Sequence, residues 1–388
     1  MSANTTSSAA SNPMSPQNIL TNPQANAMAR AAFLQSAIAQ SFPQQPVNGL
    51  AGTAGNNVAR VRLENYGVLY AIDALITLTL TNNGAAVFGA VSPGFPYTLL
   101  DEVSFTPYNS QTSRVFCSGL ELLQRNAVHK ARIPYSDASF AYGDTSGGAM
   151  SYPTTAAAAA ALAAGASMTV AFAVRIPIAV GALNTVGALF MQGISGDSYV
   201  EAKLALNNAV GSALLPITGD YAITNASVQF IQQYYQAQGP SPLLPLMDFS
   251  TVYELAGKKV STSNFAANQD KFIDMPNSRI VHGTYIRFYN GAYAYGTDLN
   301  KLEIRSSGNT TIDNNPPLLW ILRQREMLGA DLLPGWYYYS SARVPIETNL
   351  LGQFQVVLNP NAVNAGIQTS TMFESTYMVN QPLPGIGG

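Results

Sequence analysis

From residue 60 onward the apolar side chains of this chain recur with a period of two, a pattern that suits strands with one buried face. Ile76, Leu78 and Leu80 alternate with Thr77, Thr79 and Thr81 and stop at the turn signal Asn82-Asn83-Gly84. Val170, Phe172, Val174 and Ile176 alternate with Ala171, Ala173 and Arg175 before Pro177. The pattern returns at Ala202/Leu204/Leu206, at Ile280 to Tyr289 before Asn290-Gly291, at Leu302/Ile304, and at Phe354/Val356/Leu358 before Asn359-Pro360. Many short strands punctuated by Gly, Pro and Asn predict an all-β sandwich or barrel.

Two helical stretches interrupt the strands. The first, about 111 to 125, follows the strand around Val103 and Phe105 after the polar turn Tyr108-Asn109-Ser110. The second, about 316 to 328, follows Leu302/Ile304 after a polar turn over 306 to 315 and ends at Gly329 as a C-cap. These are equivalent points in two similar units of strands, helix and strands. The joint falls at Gly239-Pro240-Ser241-Pro242, where two prolines deny strand hydrogen bonds. The expectation is two tandem eight-stranded jelly rolls, 60–241 and 242–388, each with a helix in one connection. The block Ala156 to Ala166 is built from the best helix former but has no polar face, so it reads as a loop or a short helical insertion.

Residues 1 to 59 hold one charged side chain, Arg30, and are rich in Ser, Asn, Gln, Ala and Pro. They read as an arm. Asn22 and Pro23 make a helix start, and the segment 24–41 puts Ala27, Ala31, Leu34 and Ile38 on one stripe, with Asn26, Arg30 and Gln40 away from it. Pro43 and Pro46 end that helix. Such a helix can dock on its own subunit, reach a neighbouring one, or lie on a membrane surface.

Charged residues make up only 10% of the chain, 19 Lys+Arg against 21 Asp+Glu, where soluble domains carry about 25%. Surface must therefore be kept from water, either by lipid or by other copies of the chain. The one candidate span, Ala156 to Val174, is weakened by Gly165, Ser167, Met168 and Thr169. Met1 to Asn12 carries no basic residue and leads into no apolar core, so export by the usual signal is not expected. Lys and Arg are scattered and the net charge is −2, which leaves no basic footprint for direct nucleic-acid contact.

A single cysteine, Cys117, rules out an internal disulfide framework, and two histidines, His129 and His282, cannot build a Cys/His metal cluster. There is no Gly-x-Ser-x-Gly elbow; Gly193-Ile194-Ser195-Gly196-Asp197-Ser198 has the wrong spacing and leads into a β pattern. Phosphate cradles are absent as well, so no cofactor and no catalytic residue is assigned. His282 is expected on one strand face with Ile280, Ile286 and Phe288, His129 at the surface, and Cys117 in the core of the first helix. Asp101 and Glu102 are neighbours in a strand and point to opposite faces. The aromatic groups Tyr234-Tyr235, Tyr289/Tyr293/Tyr295 and Trp336 to Tyr339 suit core packing and subunit interfaces, with a sugar-stacking platform as the alternative. That alternative would make the chain a carbohydrate-binding or carbohydrate-processing tandem β-sandwich.

Several collinear segments resemble one family. They are Leu243 to Tyr253, Gly296-Thr297-Asp298-Leu299-Asn300, Pro334-Gly335-Trp336-Tyr337-Tyr338, Val344-Pro345-Ile346 and Val356-Val357-Leu358-Asn359-Pro360. With them the chain resembles the tectivirus-type double jelly-roll major capsid proteins of icosahedral bacteriophages with an internal membrane. The resemblance implies a homotrimer that forms a pseudo-hexagonal capsomer, trimer–trimer lattice contacts, minor capsid and vertex protein partners, and assembly in the host cytoplasm into the virion shell. It also implies switching termini. The candidates are Asn22, Pro23, Ala27, Arg30, Ala31, Leu34, Ile38 and Phe42 in the N-terminal arm, close to the internal membrane, and Met378, Val379, Pro382 and Pro384 in the C-terminal tail.

Overall fold

The computed structural model describes residues 23–89, 94–108, 110–129, 159–181, 185–192, 196–207, 220–238, 249, 251–260, 265–291, 296–306, 311–328, 332–341, 346–348, 354–364 and 367–378. Their strands form three sheets arranged as two sandwiches. Sheet I runs in the order β1 (Ala37–Pro43), β10 (Tyr221–Ala237), β4 (Val68–Asn82), β7 (Ser167–Pro177), with β2 (Val47–Leu50) on β10 and β8 (Leu189–Phe190) on β4. Sheet II begins with β16 (Trp336–Ser340), β13 (Ile280–Tyr289), β19 (Gln368–Met378) and β11 (Thr251–Val260). It continues through β6 (Val115–Cys117), β5 (Leu100–Thr106), β9 (Tyr199–Leu204) and β3 (Val58–Arg62), with β17 (Ile346–Glu347) on β13. Sheet III runs β12 (Lys271–Asp274), β18 (Phe354–Pro360), β14 (Leu299–Ser306), β15 (Thr311–Asn315).

Sheet I faces the β3–β6 half of sheet II, and Ile72, Ile76, Phe172 and Phe230 meet Val103, Phe105, Val200 and Ala202 in one core. Sheet III faces the β11–β16 half, and Leu302, Ile304, Val356 and Leu358 meet Ile286, Phe288 and Phe373 in the second. These are the two expected jelly rolls. What the alternation did not announce is that they share a sheet. β11 pairs in parallel with β6, Leu255 opposite Val115 and Ala256 opposite Phe116, so the strands run on from one roll into the next.

Among the described residues the strands are accompanied by the helices α1 (Pro23–Ser36), α2 (Gly119–Val128) and α3 (Pro317–Leu328). The helix expected over 111 to 125 starts later, because 115–117 pairs as β6 and Ser118 then caps α2. Cys117 accordingly lies buried on β6 rather than in the helix. The turn expected over 306 to 315 contains β15, a polar strand that hydrogen-bonds along β14 while its side chains stay largely in water. The Gly329 cap and the Gly239–Pro242 joint lie outside the described residues, as do 156–158 of the alanine block. Ala159 and Ala160 make a short helical turn whose Ala159 and Leu162 are buried.

The N-terminal helix is shorter than expected and turns another face inward. α1 stops at Ser36, whose hydroxyl bonds back to the carbonyls of Ala32 and Phe33. Residues 37–43 then leave the helix to pair with the open edge of the long strand β10. Phe33 is fully buried against Val68, Ala179, Ala188 and Tyr235, which turns Ala29, Asn26 and Arg30 inward and leaves Ala27 and Ala31 exposed. One aromatic ring buries far more apolar area than two alanine methyls, so Phe33 sets the face.

Candidate functional site

The densest polar construction among the described residues lies where roll one meets roll two. It starts from a capping box: the Ser118 backbone N–H donates to Glu121 Oε2 at 2.7 Å, and the Glu121 N–H donates to Ser118 Oγ at 3.3 Å. Those bonds satisfy orphan donors at the start of α2 and fix its direction. Opposite lies Gly257 of β11. A Cβ there would sit 2.8 Å from the Phe116 carbonyl oxygen and 3.0 Å from Glu121 Oε2, so glycine permits the close approach of β11 to β6.

The last turn of α2 projects Arg125 into roll two. Its Nη2 donates to Glu374 Oε1 at 3.2 Å and to the Val180 carbonyl at 3.2 Å, and its Nε donates to the Tyr253 hydroxyl at 3.1 Å. Glu374 on β19 also accepts from Tyr253 at 2.7 Å and from Tyr285 at 3.1 Å, and its Oε2 lies 2.8 Å from His129 Nε2 at the end of α2. Both members of the Arg125–Glu374 pair are buried. Burial alone would raise the Glu374 carboxyl, but the Arg125 charge and the hydrogen bonds from His129 and Tyr253 outweigh it and hold the group well below the ordinary carboxylate range. Burial pushes the Tyr253 and Tyr285 hydroxyls well up, so they remain neutral donors. The result is the Arg125 guanidinium against the Glu374 carboxylate, with the Tyr253 hydroxyl bonded to both and the Tyr285 hydroxyl to the carboxylate, and its chemistry is that of a clamp.

A second ion pair, with its carboxylate buried, anchors the same helix from the other side. Arg175 on β7 holds Asp73 on β4 through two bonds of 2.7 and 2.9 Å; Gln233 adds a third to Asp73, and Asn126 of α2 donates to the Arg175 carbonyl at 3.0 Å. Burial would lower the Arg175 pKa, but its bonds to Asp73 raise it, and it stays charged.

His129 lies at the surface, as sequence reasoning placed it, and from there its ring also reaches Glu374; a charge-poor chain leaves few carboxylates to pair with it, and Glu374 is the one that α2 reaches. His282 is half-buried and bonds Thr376 Oγ1 at 2.8 Å. A bulge between Val281 and Gly283 breaks the alternation, so Val281, not Ile280, joins Ile286 and Phe288 in the core. Burial lowers the His282 pKa. The rings of Trp336, Tyr337 and Tyr338 are buried, which leaves no open stacking platform there; Tyr293 and Tyr295 lie outside the described residues. Among the described residues no group of three or more His, Cys, Asp or Glu could hold a metal ion. No helix among them is long and apolar enough to cross a membrane.

The candidate arm residues separate into several environments. Asn22 lies outside the described residues, Pro23 opens α1, Arg30 is buried, and Leu34 is half-buried. Ile38 and Phe42 belong to the edge strand β1, where Phe42 meets Tyr66 edge-on at 5.0 Å. Met378 ends β19 and is exposed, while Val379, Pro382 and Pro384 lie outside the described residues.

Two jelly rolls in tandem, clamped through a shared sheet, define the class of double jelly-roll capsid proteins. Family models for the N-terminal and C-terminal parts of the P3 major capsid protein match residues 9–250 and 250–382. The major capsid protein P3 of Enterobacteria phage PRD1 is 26% identical over 362 residues, 88% of each chain. The chain belongs to the P3 major capsid protein family and is a structural protein of the virion shell. Solved structures agree in fold. A chain in the atomic structure of Sulfolobus Turreted Icosahedral Virus has a TM-score of 0.60 at 12% identity, covering 88% of this chain and 91% of that one. The major capsid protein P2 from Bacteriophage PM2 has a TM-score of 0.51 at 12% identity, covering 89% and 99%.

Proposed function

We propose that three copies close into a pseudo-hexagonal capsomer of six jelly rolls, and that capsomers tile the facets of an icosahedral virion around an internal membrane. The observation that carries this reading is the clamped seam. A subunit in which Arg125 and Glu374 hold two rolls at one angle is a rigid building block, and repeating that relation between copies generates a closed ring. The low charge suits a chain with extensive subunit contacts. Minor capsid and vertex proteins would join these tiles in the lattice, and the role is non-enzymatic, as for the capsid proteins to which the chain is similar. We divide the subunit into the arm 1–59, whose β1 and β2 complete the first roll's sheet on β10, and rolls at 60–241 and 242–388.

The arm and the C-terminal tail adjust contacts between capsomers, with the arm on the membrane side. Strand β1 limits how the arm is tested, since its seven residues pair with β10 and their removal would open sheet I. Light scattering of the purified chain tests the trimer: tripling the 41.2 kDa subunit gives about 124 kDa, and a monomer at micromolar concentration would contradict it. Removing residues 1–36 should leave that trimer intact yet abolish closed shells by electron microscopy. Normal shells from the truncated chain would remove the arm from the mechanism.

A further inference from the structure

The sequence holds three Asn-Gly pairs, Asn48-Gly49, Asn83-Gly84 and Asn290-Gly291. In such a pair the backbone nitrogen of the glycine can attack the side-chain amide carbon of the asparagine before it, because no Cβ obstructs the approach. The fold treats the three differently. Asn290 is buried; its Nδ2 donates to the Ala362 carbonyl at 3.0 Å and its Oδ1 accepts from the Asn364 N–H at 2.9 Å. Its amide is held at both ends. Asn83 is exposed, but the Gly84 N–H, the group that would attack, donates to Asn82 Oδ1 at 2.9 Å.

Asn48-Gly49 carries neither restraint. Both residues are exposed, and they lie in β2, which among the described residues pairs only with β10. Val47 is in register with Val228 and Leu50 with Ala226, so Asn48 and Gly49 together face Ser227 in a bulge and neither has a register partner. Among the described residues no hydrogen bond holds the Asn48 side chain. Gly49 has φ +75°, and nothing lies within 4 Å of the place a Cβ would take.

We infer that Asn48-Gly49 is a site of spontaneous covalent modification, at which the Asn48 amide becomes a carboxylate without an enzyme. The Gly49 nitrogen gives its proton to a base in solution and bonds to Asn48 Cγ; the Cγ–Nδ2 bond breaks, and Nδ2 leaves with a proton as ammonia. Water then opens the cyclic imide. Attack at Cγ restores the original backbone and leaves an aspartate; attack at the main-chain carbonyl carbon leaves an isoaspartate, whose backbone runs through the side chain and is longer by one carbon. One water is taken up and one ammonia released, with no oxidation or reduction. Either product adds a negative charge to a chain of net charge −2. The isoaspartate also shifts Leu50, which is buried in the first core, against Ala226, and so loosens β2 from β10.

The test is peptide mapping by mass spectrometry of the purified full chain aged at neutral and at mildly alkaline pH. Conversion should accumulate at position 48, faster at the higher pH because the attacking nitrogen must lose its proton. Asn83 and Asn290 should lag by about tenfold or more, the factor given by a barrier about 1.4 kcal/mol higher. In chain unfolded by urea the three pairs should react alike, since the fold is what separates them. Comparable rates at the three sites in the folded chain, or a folded Asn48 no faster than Asn290, would overturn the assignment. Asn48→Gln, whose longer side chain closes the ring poorly, should abolish conversion at that position and keep its unfolding temperature on ageing. Aged wild type should unfold at a lower temperature than fresh protein, whereas fresh Asn48→Asp, which brings the charge alone, should match fresh wild type. An equal loss in Asn48→Asp, or an unchanged midpoint in fully converted wild type, would overturn the loosening of β2.

Discussion

Helices α2 and α3 occupy the same place in the two rolls, each following a short edge strand, yet they live in opposite environments. α2 is amphipathic and buried through Asn126, with a capping box at one end and a buried arginine at the other. α3 begins on Pro317 at the first helical position, buries Pro317, Trp320 and Gln324, and leaves Leu318, Leu319, Leu322 and Met327 exposed. The contrast shows that topology alone does not decide whether a helix is core or surface. What differs is the packing: α2 lies against β5, β7 and residues 97–99 of its own roll and reaches β13 of roll two, whereas α3 packs mainly on β14 and β16 of its own roll.

The comparison breaks most readily at Glu374. Glu374→Gln keeps the shape but leaves Arg125 buried without its counter-charge, and breaking a buried pair by removing one partner costs about 3–5 kcal/mol. Urea unfolding should register that loss; a change below about 1 kcal/mol would mean that the clamp does not hold the rolls. The pH dependence has a definite sign. The folded carboxyl titrates below its unfolded value, so its contribution is fully present above about pH 4.3 and is lost as pH falls further toward the depressed value. Wild type should lose stability steeply in that acid window, and Glu374→Gln should show a visibly shallower slope.

Ser118 gives a smaller effect. Ser118→Ala removes the side-chain acceptor for the Glu121 N–H, at a cost of about 1 kcal/mol, measurable as a shift in the urea midpoint. It sharpens the comparison because α3 starts on prolines and presents no serine cap to delete.

The sequence made these regions legible to different degrees, for physical reasons. Strands with one wet face, such as β4 and β7, display the alternation Ile72, Ala74, Ile76, Leu78 and Val170, Phe172, Val174 against polar or small partners, and were readable. β19 was not. It is covered on one face by sheet III and on the other by roll one, so its middle is buried throughout and the sequence Gln-Thr-Ser-Thr-Met-Phe-Glu-Ser-Thr-Tyr-Met shows no period. The clamp shares that fate, because Arg125, Tyr253, Tyr285 and Glu374 come from four separate elements and nothing local announces their meeting. The Ser118/Glu121 capping box, by contrast, is a spacing signal at the true start of α2, and attention to it would have corrected the helix boundary.

The mildest test concerns the charge on α3 that parallels Arg125. Arg323 Nη1 lies 3.3 Å from Asp313 Oδ2 on β15, a helix-to-strand pair like the clamp, but the Arg323 side chain is 55% exposed. A pair so open gains little from Coulomb attraction in high dielectric, and water solvates either partner once the other is removed. Arg323→Ala should therefore change unfolding free energy by less than about 1 kcal/mol, and added salt should erase even that. The clamp should keep its effect under the same salt, since ions do not reach a buried pair. A salt-resistant loss at Arg323 as large as that at Glu374 would mean that α3 is already held by its own roll as α2 is held by its neighbour, and the asymmetry between the two helices would disappear.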